Sequence, residues 1–296
     1  MDVALVTCAA LPDLTEDDRL LIDALGRLGI SSGPVIWDDR DADWTEPKVA
    51  VVRSTWDYVE KRDAFVMWAH HVGARTRLLN SAAVLEDNSD KHYLERLSEA
   101  GVDVVETEWV APDDRVDIAG LIDLRGWDRA VVKPSVSAGA RDSATVSRDP
   151  GSLAAGQALA EAICATGRWV MVQPFLEAVA REGEFSVVCI RGEPMHAVLK
   201  RPAPGDWRVQ PQHGGSAARV PLTEGLAASA TAALRAATDG DPESLLYARV
   251  DTVQDRPGGL IELELVEPAL FMRHSAATVE RLAAAIAESL VEDVRS

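Results

Sequence analysis

Lysine is scarce in this chain of 296 residues: Lys48, Lys61, Lys91, Lys133 and Lys200 are the full set. Arginine supplies the other positive charges, and acidic residues outnumber both, leaving a net charge of −18. Such an excess excludes the basic face that a nucleic acid or an anionic membrane needs. Cysteine is also sparse. Cys8, Cys164 and Cys189 lie far apart with no CxxC spacing, so they read as small core residues of a reducing compartment. No apolar run approaches the roughly 18 residues that cross a bilayer. Met1-Asp2-Val3-Ala4 lacks the basic start of a secretory leader, so a cytoplasmic location is expected. Walker A, GxGxxG, HExxH and GxSxG patterns are absent too. Their absence removes P-loop NTPases, Rossmann dehydrogenases, zincins and α/β hydrolases from consideration.

What is present begins as an open parallel sheet. Residues 3–8 read as a buried strand, and Thr15 caps a helix with leucines at helical spacing. Strands follow at Pro34–Trp37 and Val49–Val52. The last ends in Arg53-Ser54-Thr55-Trp56-Asp57-Tyr58. Ligands of such sheets bind beyond the strands' carboxyl ends. Arg53, Ser54, Thr55 and Asp57 are therefore candidates to hold a carboxylated substrate. A surface loop with Arg53 paired to Asp57 is the competing reading. Asn88 or Ser89 is expected to cap a helix from Tyr93 to Ala100, and Val102 to Val110 to be extended.

Val131-Val-Lys133-Pro-Ser-Val-Ser137-Ala-Gly139 reads as a strand end, a lysine and a small-residue loop suited to an anion. Pro174 argues that Trp169–Leu176 is not the middle of a sheet. Gly183–Ile190 and Met195–Arg201 form an antiparallel hairpin. A polar loop, 203–216, contains Arg208, Gln210, His213 and Gly215. Then come a helix from Leu222, strands at 247–253 and 260–266 joined by a turn at Asp255–Gly259, and a closing amphipathic helix.

The two late strands carry the chemistry. Alternation puts Arg249 and Asp251 on one face, and Glu262 and Glu264 on one face. Antiparallel pairing brings three carboxylates and a guanidinium together, and Mg²⁺ is the usual resolution of such crowding. A metal, lysines and a small-residue loop suggest nucleotide phosphates. Gln173 with the backbone of Phe175 and Leu176 can read an adenine edge, and Glu184 can accept from ribose hydroxyls. His213 is a candidate general base, with a loop histidine that merely covers the site as the competing reading.

Taken in order, these pieces resemble the ATP-grasp superfamily, in the branch of glutathione synthetase and the ribosomal-protein glutamate ligases. They are Lys91, Val-Val-Lys133-Pro, Gln173-Pro-Phe-Leu176, Gly-Glu184-Phe-Ser, Lys200-Arg201-Pro, Arg208 through Gly215, Arg249-Val-Asp251 and Glu262-Leu-Glu264. The resemblance implies an α/β (α+β) ATP-grasp fold: an N-terminal substrate-binding domain over 1–85, a lid subdomain over 86–180 and a catalytic subdomain over 181–296. Lys91, Lys133, Ser137 and Gly139 would hold ATP phosphates, and Gln173, Phe175, Leu176 and Glu184 the nucleoside. Lys200 or Arg201 would face the phosphates and Arg249 the transferring phosphoryl group. Asp251, Glu262 and Glu264 would ligate Mg²⁺, and Arg208 and Gly215 would meet substrate. Two departures stand out: the metal strand ends Glu262-Leu-Glu264 with Glu267-Pro268 following, so Glu264 stands in for the usual asparagine or Glu267 takes part, and Gln210 stands where relatives often carry asparagine.

The implied reaction is ADP-forming activation of a carboxylate as an acylphosphate, then attack by nitrogen. Within the branch the chain looks most like the cyclo-ligases that close O-ureido-D-serine into D-cycloserine. An intermolecular peptide-type ligase and a non-catalytic ATP-binding regulator are the alternatives. The expected partner is a small amino-acid-like molecule, and a homo-oligomer is among the expectations because relatives are often dimers or tetramers.

Overall fold

The computed structural model describes residues 1–253 and 259–292. The turn expected at Asp255–Gly259 lies almost wholly outside the described residues. The first unit comprises β1 (Val3–Thr7), α1 (Glu16–Arg27), β2 (Ser32–Ile36), β3 (Val49–Ser54), α2 (Arg62–Gly73) and β4 (Arg77–Leu79). Its sheet runs β2-β1-β3-β4, all parallel. Every residue of β1 and β3 is buried, as expected for strands covered on both faces. Thr15 does cap α1, its hydroxyl accepting from the Asp18 amide at 3.0 Å.

Two helices, α3 (Ala82–Asn88) and α4 (Tyr93–Glu99), lead to β5 (Glu108–Val110), α5 (Ile118–Arg125), β6 (Arg129–Pro134), β7 (Ala144–Ser147), α6 (Pro150–Cys164) and β8 (Val170–Pro174). These strands form an antiparallel sheet in the order β5-β8-β6-β7. The proline reading is thereby corrected, because β8 is an interior strand. Pro174 is tolerated as its last residue, where one missing donor costs little.

The third unit follows: α7 (Glu177–Glu182), β9 (Glu184–Ile190), β10 (Glu193–Arg201), β11 (Ser216–Val220), α8 (Glu224–Ala237), β12 (Tyr247–Thr252), β13 (Leu260–Glu264) and α9 (Ala276–Glu292). Its sheet is β11-β10-β9-β12-β13, antiparallel throughout. Helix α4 packs into this third unit: Tyr93, Leu94 and Leu97 share a core with Phe185, Leu234 and Leu263. Strand β1 and helix α1 in turn share a core with Tyr247 and α9.

Two asparagines beyond β4 fasten the segment that follows the first unit to the third. Asn80, 1% exposed, donates to the carbonyls of Tyr247 (3.1 Å) and Leu265 (2.9 Å) and accepts from the Leu246 amide (2.7 Å). Asn88 donates to the Leu263 carbonyl at 2.8 Å and accepts from the Leu265 amide at 2.7 Å. Asn88 therefore ends α3 and clamps β13; it does not cap the next helix, whose N-cap is His92 without a side-chain bond. An Asn80→Ala variant strands three buried backbone groups. It is expected to lose about 2–4 kcal/mol, read as a lower urea midpoint at unchanged m-value.

His196 on β10 is buried under α9, its Nδ1 2.8 Å from the Thr278 hydroxyl. Burial, helped by Arg219 and His274, lowers its pKa to about 4, while Asp17 pulls the other way. The unfolded chain then binds a proton that the folded one refuses. Stability from this group is complete above pH 6.5 and is lost as pH falls toward 4. Wild type should lose more thermal stability across that window than His196→Gln, measured as Tm against pH.

Candidate active site

Strands β12 and β13 pair in register, Arg249 opposite Glu264 and Asp251 opposite Glu262. All four side chains meet at the cleft between the second and third sheets. Asp251 accepts from the Ser186 hydroxyl (2.6 Å), from Lys200 Nζ (2.9 Å) and from both Nε and Nη2 of Arg249. Burial opposes its ionisation, but Arg249 and Lys200 outweigh that and hold it well below the usual carboxylate range. Arg249 also pairs with Glu264, and Lys200 with Glu184. Lys91 Nζ lies 3.2 Å from Glu262 and donates to the Ser137 carbonyl at 2.6 Å. Burial opposes ionisation of Glu262 as well, and Lys91 and Lys133 outweigh it.

The three carboxylates expected to ligate Mg²⁺ stand in a network of ion pairs. Among the described residues no three His, Cys, Asp or Glu side chains are grouped to hold a metal ion. Asp251 is saturated by Lys200, Arg249 and Ser186. The donor chemistry still suits Mg²⁺, which takes carboxylate oxygens. Glu264 is pushed above its ordinary range by burial, with Glu262 and Asp251 adding to the effect. Glu267 is pushed up to about 8 by burial and by Glu264. Glu264 has Arg249 as its counter-charge, whereas Glu267 has no ion pair among the described residues.

Beside the carboxylates is a cavity of about 130 Å³, lined by Lys133, Ser137, Gly139, Gln173, Phe175, Leu176, Glu184 and Arg208, with apolar walls from Val131, Trp207 and Ile261. Lys133 has no hydrogen-bond or ion-pair partner among the described residues, and burial lowers its pKa. Gln173 donates to the Thr107 hydroxyl at 2.8 Å. Arg129 stacks 3.7 Å from the Phe175 ring centre and fixes that wall. Gly183, at φ +104°, lets α7 turn into β9 hard against the Lys200 carbonyl, which a Cβ would strike. The loop over 203–216 reaches the small-residue loop: Gln212 and His213 approach the Gly139 carbonyl at 3.2 and 3.4 Å.

Several expected residues stand elsewhere. Arg201 is exposed, because alternation along β10 turns it away when Lys200 faces the cleft. Arg208 is paired with Asp206 on the cavity wall. Gly215 serves a tight return of its own loop, since a Cβ there would strike the Val209 carbonyl. Arg53 is neither paired to Asp57 nor free for a substrate. It is fully buried, binds Asp18 at 2.9 Å and donates to the Pro268 carbonyl at 2.8 Å. Ser54 also donates to Asp18, while Asp57 accepts from Trp37 and Lys61. Thr55 is buried, and its hydroxyl has no partner among the described residues.

Sequence reasoning missed Ile261 as a cleft residue. A bulge between Asp251 and Thr252 sets Thr252 opposite Leu260 and leaves Ile261 as the extra residue beside Glu262. No local signal marks it. Trp207, within the polar loop, was legible only as an aromatic among glycines.

Residues 3–80 match the family described as D-cycloserine synthetase DcsG, N-terminal domain, and residues 114–274 match the prokaryotic glutathione synthetase ATP-grasp domain. The cycloserine biosynthesis protein DcsG of Streptomyces lavendulae is 31% identical over 298 residues, covering 97% of this chain and 98% of that protein. A glutathione synthetase of Gloeobacter violaceus is 30% identical over 209 residues, 69% of this chain and 57% of its own length. The crystal structure of D-cycloserine synthetase DcsG superposes with a TM-score of 0.86 at 28% identity, over 98% of this chain and 100% of that one. A D-alanine–D-alanine ligase of Bacillus anthracis complexed with ATP shares the fold at TM-score 0.66 and 14% identity, over 99% and 98% of the two chains. With a parallel N-terminal sheet, two antiparallel sheets facing one cleft and these matches along its length, the chain belongs to the ATP-grasp family and is an ATP-dependent carbon–nitrogen ligase.

Proposed function

We propose that the enzyme activates the carboxylate of O-ureido-D-serine and closes it into the D-cycloserine ring. The observation that carries this reading is the match of residues 3–80 to the DcsG N-terminal domain, because that unit brings the Arg53–Tyr58 loop to the carboxylate strands. ATP would lie in the cavity with its base between Val131 and Ile261 and its sugar at Glu184. Lys133, which has no hydrogen bond or ion pair among the described residues, would take the phosphates together with Lys91. Glu262 and Glu264 would hold Mg²⁺, with Asp251 as third carboxylate once Lys200 turns to the nucleotide. The metal would screen phosphate charge during transfer. Arg249, released from Glu264, would face the phosphoryl group and the developing oxyanion.

The carboxylate oxygen attacks the γ-phosphorus, ADP leaves and an acylphosphate remains. The ureido nitrogen attacks its acyl carbon, phosphate departs with the bridging oxygen, and the nitrogen's proton passes to phosphate or solvent. The ring nitrogen then carries the carbamoyl group, whose loss to water as carbamate gives D-cycloserine. His213, against the Gly139 carbonyl, would cover the site. Incubation with ATP, Mg²⁺ and O-ureido-D-serine alone should yield D-cycloserine and ADP. Product that forms only when a second amine is added would replace ring closure with intermolecular ligation.

A further inference from the structure

Glu267 is 9% exposed, and its carboxylate has no hydrogen bond or ion pair among the described residues. The nearby cations are already committed: Lys91 to Glu262 and Ser137, Arg249 to Asp251 and Glu264. Its backbone, by contrast, is held at every step. The Tyr247 hydroxyl lies 2.9 Å from the Val266 carbonyl, Trp56 donates to the Glu267 carbonyl at 3.2 Å, Arg53 to Pro268 at 2.8 Å and Arg249 to Ala269 at 3.3 Å. A buried carboxylate without a partner is costly. Four consecutive carbonyls fixed by side chains show that its place is nonetheless enforced.

What arrives there must be cationic and must come with the substrate. Trp56 and Arg53 belong to the loop at the end of β3, so Glu267 sits where the first unit meets the carboxylate strands. Thr55 of the same loop keeps a buried hydroxyl with no partner among the described residues. An α-amino acid whose carboxylate is activated beside Arg249 carries its ammonium on the adjacent carbon. We infer that Glu267 binds the α-ammonium group of the substrate and so selects amino acids over simple carboxylic acids. This rests on the substrate class proposed above.

The test compares O-ureido-D-serine with its desamino analogue, 3-(ureidooxy)propanoate, by ADP release. Wild type should favour the amine by about 100-fold in kcat/KM, the range of a buried charge pair. Glu267→Gln should reduce that preference to within about fivefold, with KM for ATP unchanged. Glu267→Asp, which keeps the charge, should retain part of it. The glutamine variant keeps the shape of the side chain and leaves no bonded partner behind, so it should melt no lower than wild type; the aspartate variant carries the test should it fail to fold. An undiminished amine preference in both variants overturns the inference. So does a raised Mg²⁺ requirement with the preference intact, which would make Glu267 a metal ligand. Absence of ADP release by wild type with either compound overturns the substrate reading itself, and the inference with it.

Discussion

Arg249→Lys enzyme should turn over about 100- to 1,000-fold more slowly than wild type, with KM for ATP moving by no more than about threefold. The guanidinium reaches Asp251 and Glu264 together and also the Ala269 carbonyl, a fork that an ammonium cannot copy. In the proposed reaction Arg249 turns from Glu264 to the transferring phosphoryl group, so its loss falls on the chemical step. Lysine keeps a positive charge among the buried carboxylates, which makes it the informative substitution. Arg249→Ala would leave Asp251 and Glu264 without this cation and would confound a slow step with an unfolded protein. Steady-state kinetics with a melting curve separate the two. A lysine variant with wild-type kcat would remove Arg249 from the chemistry.

Lys133→Ala should behave differently. Its ammonium has no partner among the described residues, and burial already disfavours its charge. Removing it costs the folded protein no hydrogen bond but takes one cation from beside Glu262, so Tm should fall only slightly. Activity should nonetheless collapse, with kcat/KM for ATP lower by about 1,000-fold, because a charge-assisted contact to phosphate is lost where water is largely excluded. A stable, inactive Lys133→Ala enzyme is the signature of a residue kept for the nucleotide. Wild-type turnover in that variant would place the phosphates elsewhere.

The contrast between these lysine and arginine sites shows what was legible in the sequence. Alternation alone placed Arg249, Asp251, Glu262 and Glu264 on facing strands, and their register agrees. The small-residue loop after Lys133 and the Gln173–Leu176 segment were likewise readable, and both line one cavity. Pairings set by distant segments were not readable. Arg53 is taken by Asp18, 35 residues earlier, because the first turn of α1 packs beside the end of β3. Asp251 is neutralised by Lys200 across the sheet, so residues read as metal ligands also stand in an ion-pair network that local pattern does not show. Asn88 has the residue type of a helix cap, yet its bonds reach β13, 175 and 177 residues away. The bulge that exposes Ile261 to the cleft breaks the very alternation that made its neighbours predictable. Local pattern specifies which face a residue takes; partners from elsewhere decide whether it is free.

The central claim is that the substrate carboxylate is activated as an acylphosphate. Transfer of oxygen tests it directly. With both carboxylate oxygens of O-ureido-D-serine labelled with ¹⁸O, each turnover should release ADP and one inorganic phosphate carrying a single ¹⁸O atom. Label in AMP, or phosphate without label, would contradict it.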